Sequence, residues 1–181
     1  MTNHVIFILS LLFPIAGLIL IPLLSFRLRA RANFIFVVLI AIVTSIPAFS
    51  ALAGSGELDL LIGTRIFGNV LLHRDPLSAW FILIITLTCI NGAFYGIGYM
   101  KPYAFQRSNL SLHWILFLLF QSSMLWVCMV QNGLLFLIVW ELMSISSFLL
   151  VIFEHQNKAT LKAGINYLVQ MHIGVLFLTA A

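Results

Sequence analysis

The apolar residues of this chain are gathered into long uninterrupted runs, and this feature constrains the fold more than any other. A helix needs about 20 consecutive apolar residues to cross the hydrocarbon core of a bilayer, and the runs are close to that length. Charged residues make up 8% of the chain, whereas a soluble domain carries about 25%. The sequence therefore predicts an all-α integral membrane protein rather than a water-soluble domain.

We expect about six transmembrane helices, which form a single membrane domain over residues 1–181. The apolar runs that predict the first five helices cover residues 5–25, 33–53, 76–100, 114–130 and 134–153. A sixth helix is expected to begin within residues 154–164 and to continue to the end of the sequence.

The longest connector, between the second and third helices, has a different pattern. Apolar Leu58, Leu60 and Ile62 alternate along the chain, and Gly63 and Thr64 precede a second β-prone stretch at residues 65–72. Alternation of this kind on both sides of a turn predicts a short two-stranded hairpin on the membrane surface.

The basic residues indicate the orientation, because Lys and Arg are retained in cytoplasmic connectors. The connectors after helices one, three and five hold Arg27, Arg29, Arg31, Lys101, Arg107, Lys158 and Lys162, whereas the other side holds Arg65 and Arg74. The N-terminus and the hairpin are therefore predicted outside the cytoplasm. No connector has a basic face large enough to follow a nucleic-acid backbone, so we expect no nucleic-acid partner.

Several other residues receive structural interpretations from the sequence. The aromatic side chains near the predicted membrane interfaces are interpreted as anchors: Trp80, Trp114, Trp126, Tyr99 and Tyr103. Cys89 and Cys128 are interpreted as small packing residues. We expect neither a metal site nor a bound cofactor, because no Cys or His set has ligand spacing and no nucleotide-binding or hydrolase motif is present.

Glu141 is the one carboxylate that the sequence places deep inside the bilayer. It lies in the fifth apolar run, at a depth of roughly 10–13 Å from the outer end. A charged side chain near the middle of a membrane helix costs about 3 kcal/mol, and such residues usually mark ion pathways. We therefore predict that Glu141 exchanges a proton. Ser144, one turn along on the same face, either hydrogen-bonds Glu141 or is a small packing residue. The alternative is a structural glutamic acid that hydrogen-bonds a neighbouring helix.

His172 and Lys162 are the other candidates for proton transfer, both in the sixth helix. Helices five and six are antiparallel, so His172 and Glu141 are predicted at similar depth and could form a relay if the helices touch. His172 could instead be a simple interhelical hydrogen-bonding residue. Lys162 is either a cytoplasmic orientation marker or a residue that passes protons inward. Asn166 and Gln170 face either the bundle or a hydrated path.

Several stretches resemble the antiporter-like membrane subunits of respiratory complex I, Mrp-type antiporters and group 4 hydrogenases. They are RDPLSAWF, YGIGYM, VWELMSISSFLLV and KATLKAGINYLVQMHIG. The mid-helix histidine of the last stretch is most similar to the hydrogenase-4 and formate-hydrogenlyase branch. The N-terminal third of the chain is similar to the family only in architecture.

The resemblance implies a role and a larger protein. Family members have about fourteen helices, and Glu141 matches their functional glutamate, which pairs with a lysine on a broken seventh helix. This chain ends within the sixth helix, so we expect an N-terminal portion of such a subunit or a truncated gene.

The implied function is proton or cation translocation in an NADH:quinone oxidoreductase-like or hydrogenase complex. The chain is expected to have no redox centre of its own and to bind other membrane and peripheral subunits, with protons or Na⁺ as the transported ion. The expected location is the inner (plasma) membrane of a prokaryote. The alternatives are an Mrp-type cation/proton antiporter component and a structural membrane scaffold.

Overall fold

Six α-helices and two short strands make up the computed structural model, which describes residues 2–54, 58–64, 68–103, 107–154 and 156–180. In chain order they are α1 (Thr2–Leu23), α2 (Phe26–Leu52), β1 (Leu58–Thr64), β2 (Gly68–Arg74), α3 (Pro76–Tyr99), α4 (Arg107–Val127), α5 (Gly133–Val151) and α6 (Lys158–Ala180). Short 3-10 turns lie at Lys101–Tyr103 and Ile152–Glu154.

The predicted all-α membrane fold is confirmed. Within the described residues, five helices, α2 to α6, are long and apolar enough to cross a membrane, and α1 supplies a shorter apolar stretch at Ile8–Leu23. The orientation remains the prediction made from the basic residues, and helix ends are named accordingly as outer or cytoplasmic.

Two helices begin earlier than the apolar runs indicate. The α2 helix begins at Phe26 rather than near residue 33, and α4 begins at Arg107 rather than at Trp114. Both extensions carry charged or polar residues. The apolar runs therefore do not include them, although the helix continues through them. The three arginines at positions 27, 29 and 31 are therefore helical and do not belong to a connector.

Arg29 joins three helices at their cytoplasmic ends. Its Nε donates to the Leu24 carbonyl at 3.0 Å and its Nη2 donates to the Pro22 carbonyl at 2.9 Å. Its Nη1 contacts the hydroxyl of Ser111 on α4. The last carbonyls of a helix have no partner within that helix, so the Arg29 side chain caps α1 and ties it to α4.

The strands β1 and β2 pair antiparallel, in a register that runs from Leu58 opposite Arg74 to Thr64 opposite Gly68. Residues 65–67, which include the start of the predicted second strand, lie outside the described residues. The connection between α4 and α5 pairs with the other edge of β2: the His73 amide donates to the Met129 carbonyl at 3.0 Å, and the Gln131 amide donates to the Leu71 carbonyl at 3.0 Å.

The centre of the bundle is formed by α2, which packs against α1, α3 and α4. The fully buried side chains of the bundle include Val37 and Ile40 on α2, Ile82 on α3 and Leu118 on α4. Polar residues of this core are also enclosed. The Gln121 Nε2 donates to the Val37 carbonyl at 3.3 Å, for example.

The interpretation of Trp114 as an interface anchor is wrong, because this side chain is only 1% exposed. It packs against α3, where a Cβ atom added to Gly96 would lie 3.2 Å from the indole ring. The reason is the early start of α4, which places Trp114 two turns inside the helix. Trp80 and Tyr99 are exposed, as membrane anchors are. Cys89 and Cys128 are both free thiols.

The α6 helix packs against α5 and the Ile152–Glu154 turn. The described part of α6 has one buried residue, Gly164. A Cβ atom at this position would collide with Ile152 and would lie 3.4 Å from the Phe148 ring. The absence of a side chain at Gly164 therefore lets the two backbones approach closely at the cytoplasmic end of the α5–α6 seam.

Candidate functional site

Glu141 and His172 meet between α5 and α6. The Glu141 Oε2 and the His172 Nε2 are 3.4 Å apart. Glu141 lies eight residues after Gly133, the first residue of α5, which is about 12 Å from the outer end of that helix. The contact places His172 at the same level of the membrane. The structure thus brings together the two residues for which the sequence predicts a similar depth.

Two further contacts set the register of the α5–α6 seam. The hydroxyls of Ser147 and Tyr167 are hydrogen-bonded at 2.7 Å. Gly164 packs against Phe148 and Ile152 one turn closer to the cytoplasm. Because the helices are antiparallel, these contacts and the Glu141–His172 contact form one continuous line along the seam.

The contact made by the His172 Nδ1 determines which ring nitrogen of the imidazole carries the hydrogen. The His172 Nδ1 is 2.9 Å from the carbonyl oxygen of Leu168, one turn earlier in α6. A carbonyl oxygen can only accept a hydrogen bond, so in this geometry the Nδ1 is protonated and donates. In a neutral imidazole the Nε2 is then an acceptor, and it is the Nε2 that faces Glu141.

A hydrogen bond between Glu141 and His172 would need a proton on one of the two residues. An ionised carboxylate and an unprotonated Nε2 are both acceptors and cannot hydrogen-bond each other. One proton resolves this conflict, either on His172 as an imidazolium beside a carboxylate or on Glu141 as a carboxylic acid that donates to the Nε2.

The pair is open on the side that α5 and α6 do not cover. The Glu141 side chain is 32% exposed in this chain and the His172 side chain is 49% exposed. Polar groups at this depth of a membrane must face protein or water. The open side of the pair is therefore expected to face protein or water rather than lipid.

Of the two interpretations of Ser144, the structure supports packing, because this residue is only 1% exposed. The hydroxyl of Ser144 donates to the Trp140 carbonyl at 3.0 Å, which is a common alternative for serine within a helix. Lys162 is exposed, ten residues before His172, or about 15 Å along the α6 axis. The structure therefore does not bring Lys162 to the Glu141–His172 pair.

Tyr167 is a site residue that the sequence reasoning missed. Its hydroxyl bonds Ser147 and holds the middle of the seam that places His172 beside Glu141. The available signal was a tyrosine in the middle of an apolar run, away from the membrane interfaces where tyrosine is usually found.

A separate contact lies at the cytoplasmic end of the seam, outside the membrane-spanning segments. The Tyr103 hydroxyl contacts the Glu154 Oε1, and this contact raises the pKa of Tyr103 to about 12. The Tyr103 ring also packs edge-on against Phe153, with ring centroids 5.3 Å apart. The turn after α3 is thereby tied to the turn after α5.

Comparison with known proteins gives relatives but no family model. No protein-family model matches the chain. Hydrogenase-4 component B of Escherichia coli (strain K12) is 30% identical over 115 residues, which are 64% of this chain and 17% of that protein. A Staphylococcus aureus (strain MRSA252) protein named "Putative antiporter subunit mnhA2" is 38% identical over 89 residues, which are 49% of this chain and 11% of that protein.

A Staphylococcus epidermidis protein (strain ATCC 12228 / FDA PCI 1200) of the same name is 35% identical over 112 residues, which are 61% of this chain. This chain covers 14% of that relative. The chain therefore spans less than a fifth of the length of each of these three relatives.

Proposed function

We propose that this chain, whose sequence fits the antiporter-like membrane subunit family, is the N-terminal portion of a proton- or cation-translocating subunit. The subunit would belong to a hydrogenase or NADH:quinone oxidoreductase-like complex in the inner membrane of a prokaryote. Two of the relatives are named as a hydrogenase component and an antiporter subunit. The observation that carries the proposal is the contact between Glu141 and His172 near the middle of two antiparallel membrane helices.

In the proposed mechanism, Glu141 and His172 share one proton and exchange it with the open side of the pair. The Leu168 carbonyl holds the His172 Nδ1–H, so the Nε2 is the only ring nitrogen free to accept or release a proton. A change of charge on a neighbouring helix or subunit would shift the proton between imidazole and carboxylate. The chain would bind no redox cofactor, and electrons would pass through partner subunits.

Replacement of Glu141 by Gln tests this mechanism in the intact complex. The amide keeps the shape and a hydrogen-bond donor for His172 but cannot titrate. We expect proton pumping by inverted membrane vesicles, measured by quenching of a pH-sensitive dye, to fall to background while electron transfer and assembly persist. Glu154→Gln is the matched control, because it removes a carboxylate at the cytoplasmic end of the seam, away from the Glu141–His172 pair.

Unchanged pumping by a normally assembled Glu141→Gln complex would overturn the proposal and favour a structural scaffold. In that case Glu141 would only hold α5 and α6 together, a role that the amide can also fill.

A second candidate function is supported by the two antiporter-named relatives. In this alternative the chain belongs to an Mrp-type assembly that exchanges Na⁺ or K⁺ for protons without electron transfer. Vesicles that carry the assembly and are first acidified inside by ATP hydrolysis would then show dye dequenching on addition of Na⁺ or K⁺ in the absence of any electron donor. A response that requires an electron donor favours the first proposal.

A further inference from the structure

The cytoplasmic end of α3 carries an open groove with aromatic residues in its lining. The groove is lined by residues 94–99 and has a volume of about 410 Å³. Ligand sites in proteins have volumes of about 300–1,000 Å³, so the groove is large enough to hold part of a small molecule. Phe94 and Tyr99 are 68% and 54% exposed. A Cβ atom added to Gly98 would meet nothing within 4 Å, so the absence of a side chain there keeps the groove open.

The groove lies at the depth where phospholipid head groups meet their acyl chains. Phe94 is five residues before Tyr99, the last residue of α3, which is about 8 Å from the cytoplasmic end of the helix. Tyrosine and other aromatic side chains are common at this level of a membrane, where one part of a side chain is in contact with hydrocarbon and another with polar groups. A phospholipid in the groove would therefore have its phosphate near the end of α3 and an acyl chain beside Phe94.

An exposed arginine of α2 lies beside the groove. The Phe34 ring of α2 packs against the Phe94 ring, with centroids 6.0 Å apart. Arg31 is three residues before Phe34, so it lies one turn closer to the cytoplasm on the same face of α2. Because α2 and α3 are antiparallel, one turn closer to the cytoplasm on α3 is the level of Gly98. The exposed Arg31 side chain is therefore at the level of the open part of the groove.

An exposed lysine follows the groove on α3 itself. Lys101 comes three residues after Gly98, and Met100 between them keeps helical backbone angles. This spacing places Lys101 over the face that forms the groove, and its side chain is exposed. The carboxylate of Glu154, at the same end of the molecule, contacts the Tyr103 hydroxyl. Two cations from different helices thus flank one apolar groove.

We propose that this groove binds an anionic phospholipid of the cytoplasmic leaflet, with its phosphate at Arg31 and Lys101 and an acyl chain against Phe94 and Gly98. A guanidinium group matches two phosphate oxygens with parallel N–H donors, and the ammonium group adds a second positive charge. Basic pockets beside membrane helices on the cytoplasmic side bind the head groups of anionic lipids. A zwitterionic lipid fits less well, because the same two cations repel its amine.

The test identifies the lipid that touches the groove. Phe94 is replaced by the photoreactive amino acid p-benzoylphenylalanine in the full-length subunit, and the assembled complex is reconstituted into liposomes of phosphatidylethanolamine with phosphatidylglycerol as a minor component. After irradiation, mass spectrometry of the α3 peptide gives the ratio of the two lipids among the adducts. We expect phosphatidylglycerol to be enriched several-fold over its share of the liposome. The same probe at Phe81, which is exposed nearer the outer end of α3, is the matched control and should report the liposome ratio.

Variants of the two cations test the selection of the head group. Arg31→Gln combined with Lys101→Gln, in the chain that carries the probe at position 94, should return the adduct ratio to that of the liposome. Lys158→Gln removes an exposed cation from the cytoplasmic end of α6 and should leave the enrichment unchanged. The amount of complex recovered checks the assembly of each variant.

Gly98→Leu tests the position of the acyl chain separately. The open space at Gly98 can accept a side chain without a collision, and the leucine would fill the groove. We expect several-fold fewer lipid adducts of both kinds at position 94, with normal recovery of the complex.

Three results would overturn the proposal. The first is the liposome ratio at position 94, or adducts with another protein subunit in place of lipid. The second is an enrichment that survives the double replacement of Arg31 and Lys101, and the third is an adduct yield that Gly98→Leu does not change. The site is separate from the Glu141–His172 pair, so none of these results depends on the proposed translocation function.

Discussion

The helices α2 and α6 have similar lengths and both are apolar enough to span a membrane, yet they are used in opposite ways. The α2 helix packs against three other helices, and its polar Asn33 and Thr44 are almost completely buried. The α6 helix packs against α5 and the adjoining turn, and its polar residues Asn166 and Gln170 remain exposed. Length and apolar composition therefore predict that a helix spans the membrane but do not predict how it is packed.

The comparison also separates stability from function in this molecule. The bundle around α2 is held by close packing and by Arg29, which caps one helix and ties it to another. The α5–α6 seam is held by a glycine contact, one hydroxyl pair and the contact between the Glu141 carboxyl group and the His172 imidazole. Elements with few packed contacts are those that move or unfold locally at low free energy. The site therefore lies in the less firmly held region.

The largest effect is expected from Gly164→Ala, which breaks the seam and leaves the bundle intact. The added methyl group collides with Ile152 and presses on Phe148. Overpacking of this kind costs about 1–3 kcal/mol, and we expect about 2 kcal/mol here. Thermal unfolding in detergent and the rate of proteolysis within α6 measure the loss.

Gly174→Ala is the matched control for this variant, because a Cβ atom at Gly174 meets nothing within 4 Å. An alanine should be neutral there or stabilise the helix by up to about 1 kcal/mol. If both alanine variants behaved alike, the close approach at Gly164 would not be what attaches α6.

Arg29→Met tests the opposite region, the bundle. It removes the donors to the Pro22 and Leu24 carbonyls and the contact with Ser111. Hydrogen bonds from a charged donor contribute about 1.5–3 kcal/mol, and we expect a loss of about 2 kcal/mol for this partly buried side chain. The midpoint of thermal unfolding is the measurement.

Arg31→Met serves as its control, since it removes the same charge from an exposed position of the same helix. Exposed substitutions usually change stability by less than about 0.5 kcal/mol. Equal losses in the two variants would mean that total charge matters and that capping of α1 by Arg29 does not.

Asp75→Ala is expected to weaken the start of α3 by about 1 kcal/mol, because it removes an N-cap. The Asp75 carboxylate accepts from the Ser78 amide at 2.7 Å, and the hydrogen bonds from the Ser78 side chain and amide hold the pKa of Asp75 below its ordinary value of 3.8. A depressed pKa contributes stability that is complete above the ordinary pKa and is lost as the pH falls through the lower, folded value.

Unfolding midpoints followed on acidification test this sign. The native chain should lose the contribution of the cap in strongly acidic solution, whereas Asp75→Asn should keep an uncharged cap and show a smaller pH dependence. A native chain and an asparagine variant with identical pH profiles would contradict the assignment of this hydrogen bond.

The smallest effect is expected from Tyr167→Phe, which removes the hydroxyl that bonds Ser147. Interhelical hydrogen bonds in membranes average about 0.6 kcal/mol, so the unfolding midpoint should fall only slightly. If pumping falls markedly while the unfolding midpoint changes only slightly, Tyr167 positions His172. Tyr95→Phe, on the exposed face of α3, is the matched control and should change neither property.

The sequence by itself determined the properties that vary along one helix. Apolar run length predicted membrane helices, and the run at residues 76–100 agrees with α3. The count of 1.5 Å per residue placed Glu141 and His172 at similar depth. These properties are local, because a bilayer imposes its thickness on each span separately. Charge placement predicted the orientation in the same way, without reference to neighbouring helices.

Only the tertiary structure decided what each helix face touches. It showed that α5 and α6 are in contact, that Leu168 fixes the protonated nitrogen of His172, and that Trp114 is buried. It also showed that the Arg29 side chain of α2 contacts α1 and α4, and that the Ser144 hydroxyl bonds a carbonyl of its own helix. The physical reason is that hydropathy in a membrane span is nearly uniform around the helix axis. Rotation and neighbour choice are set instead by small residues such as Gly164 and by polar partners.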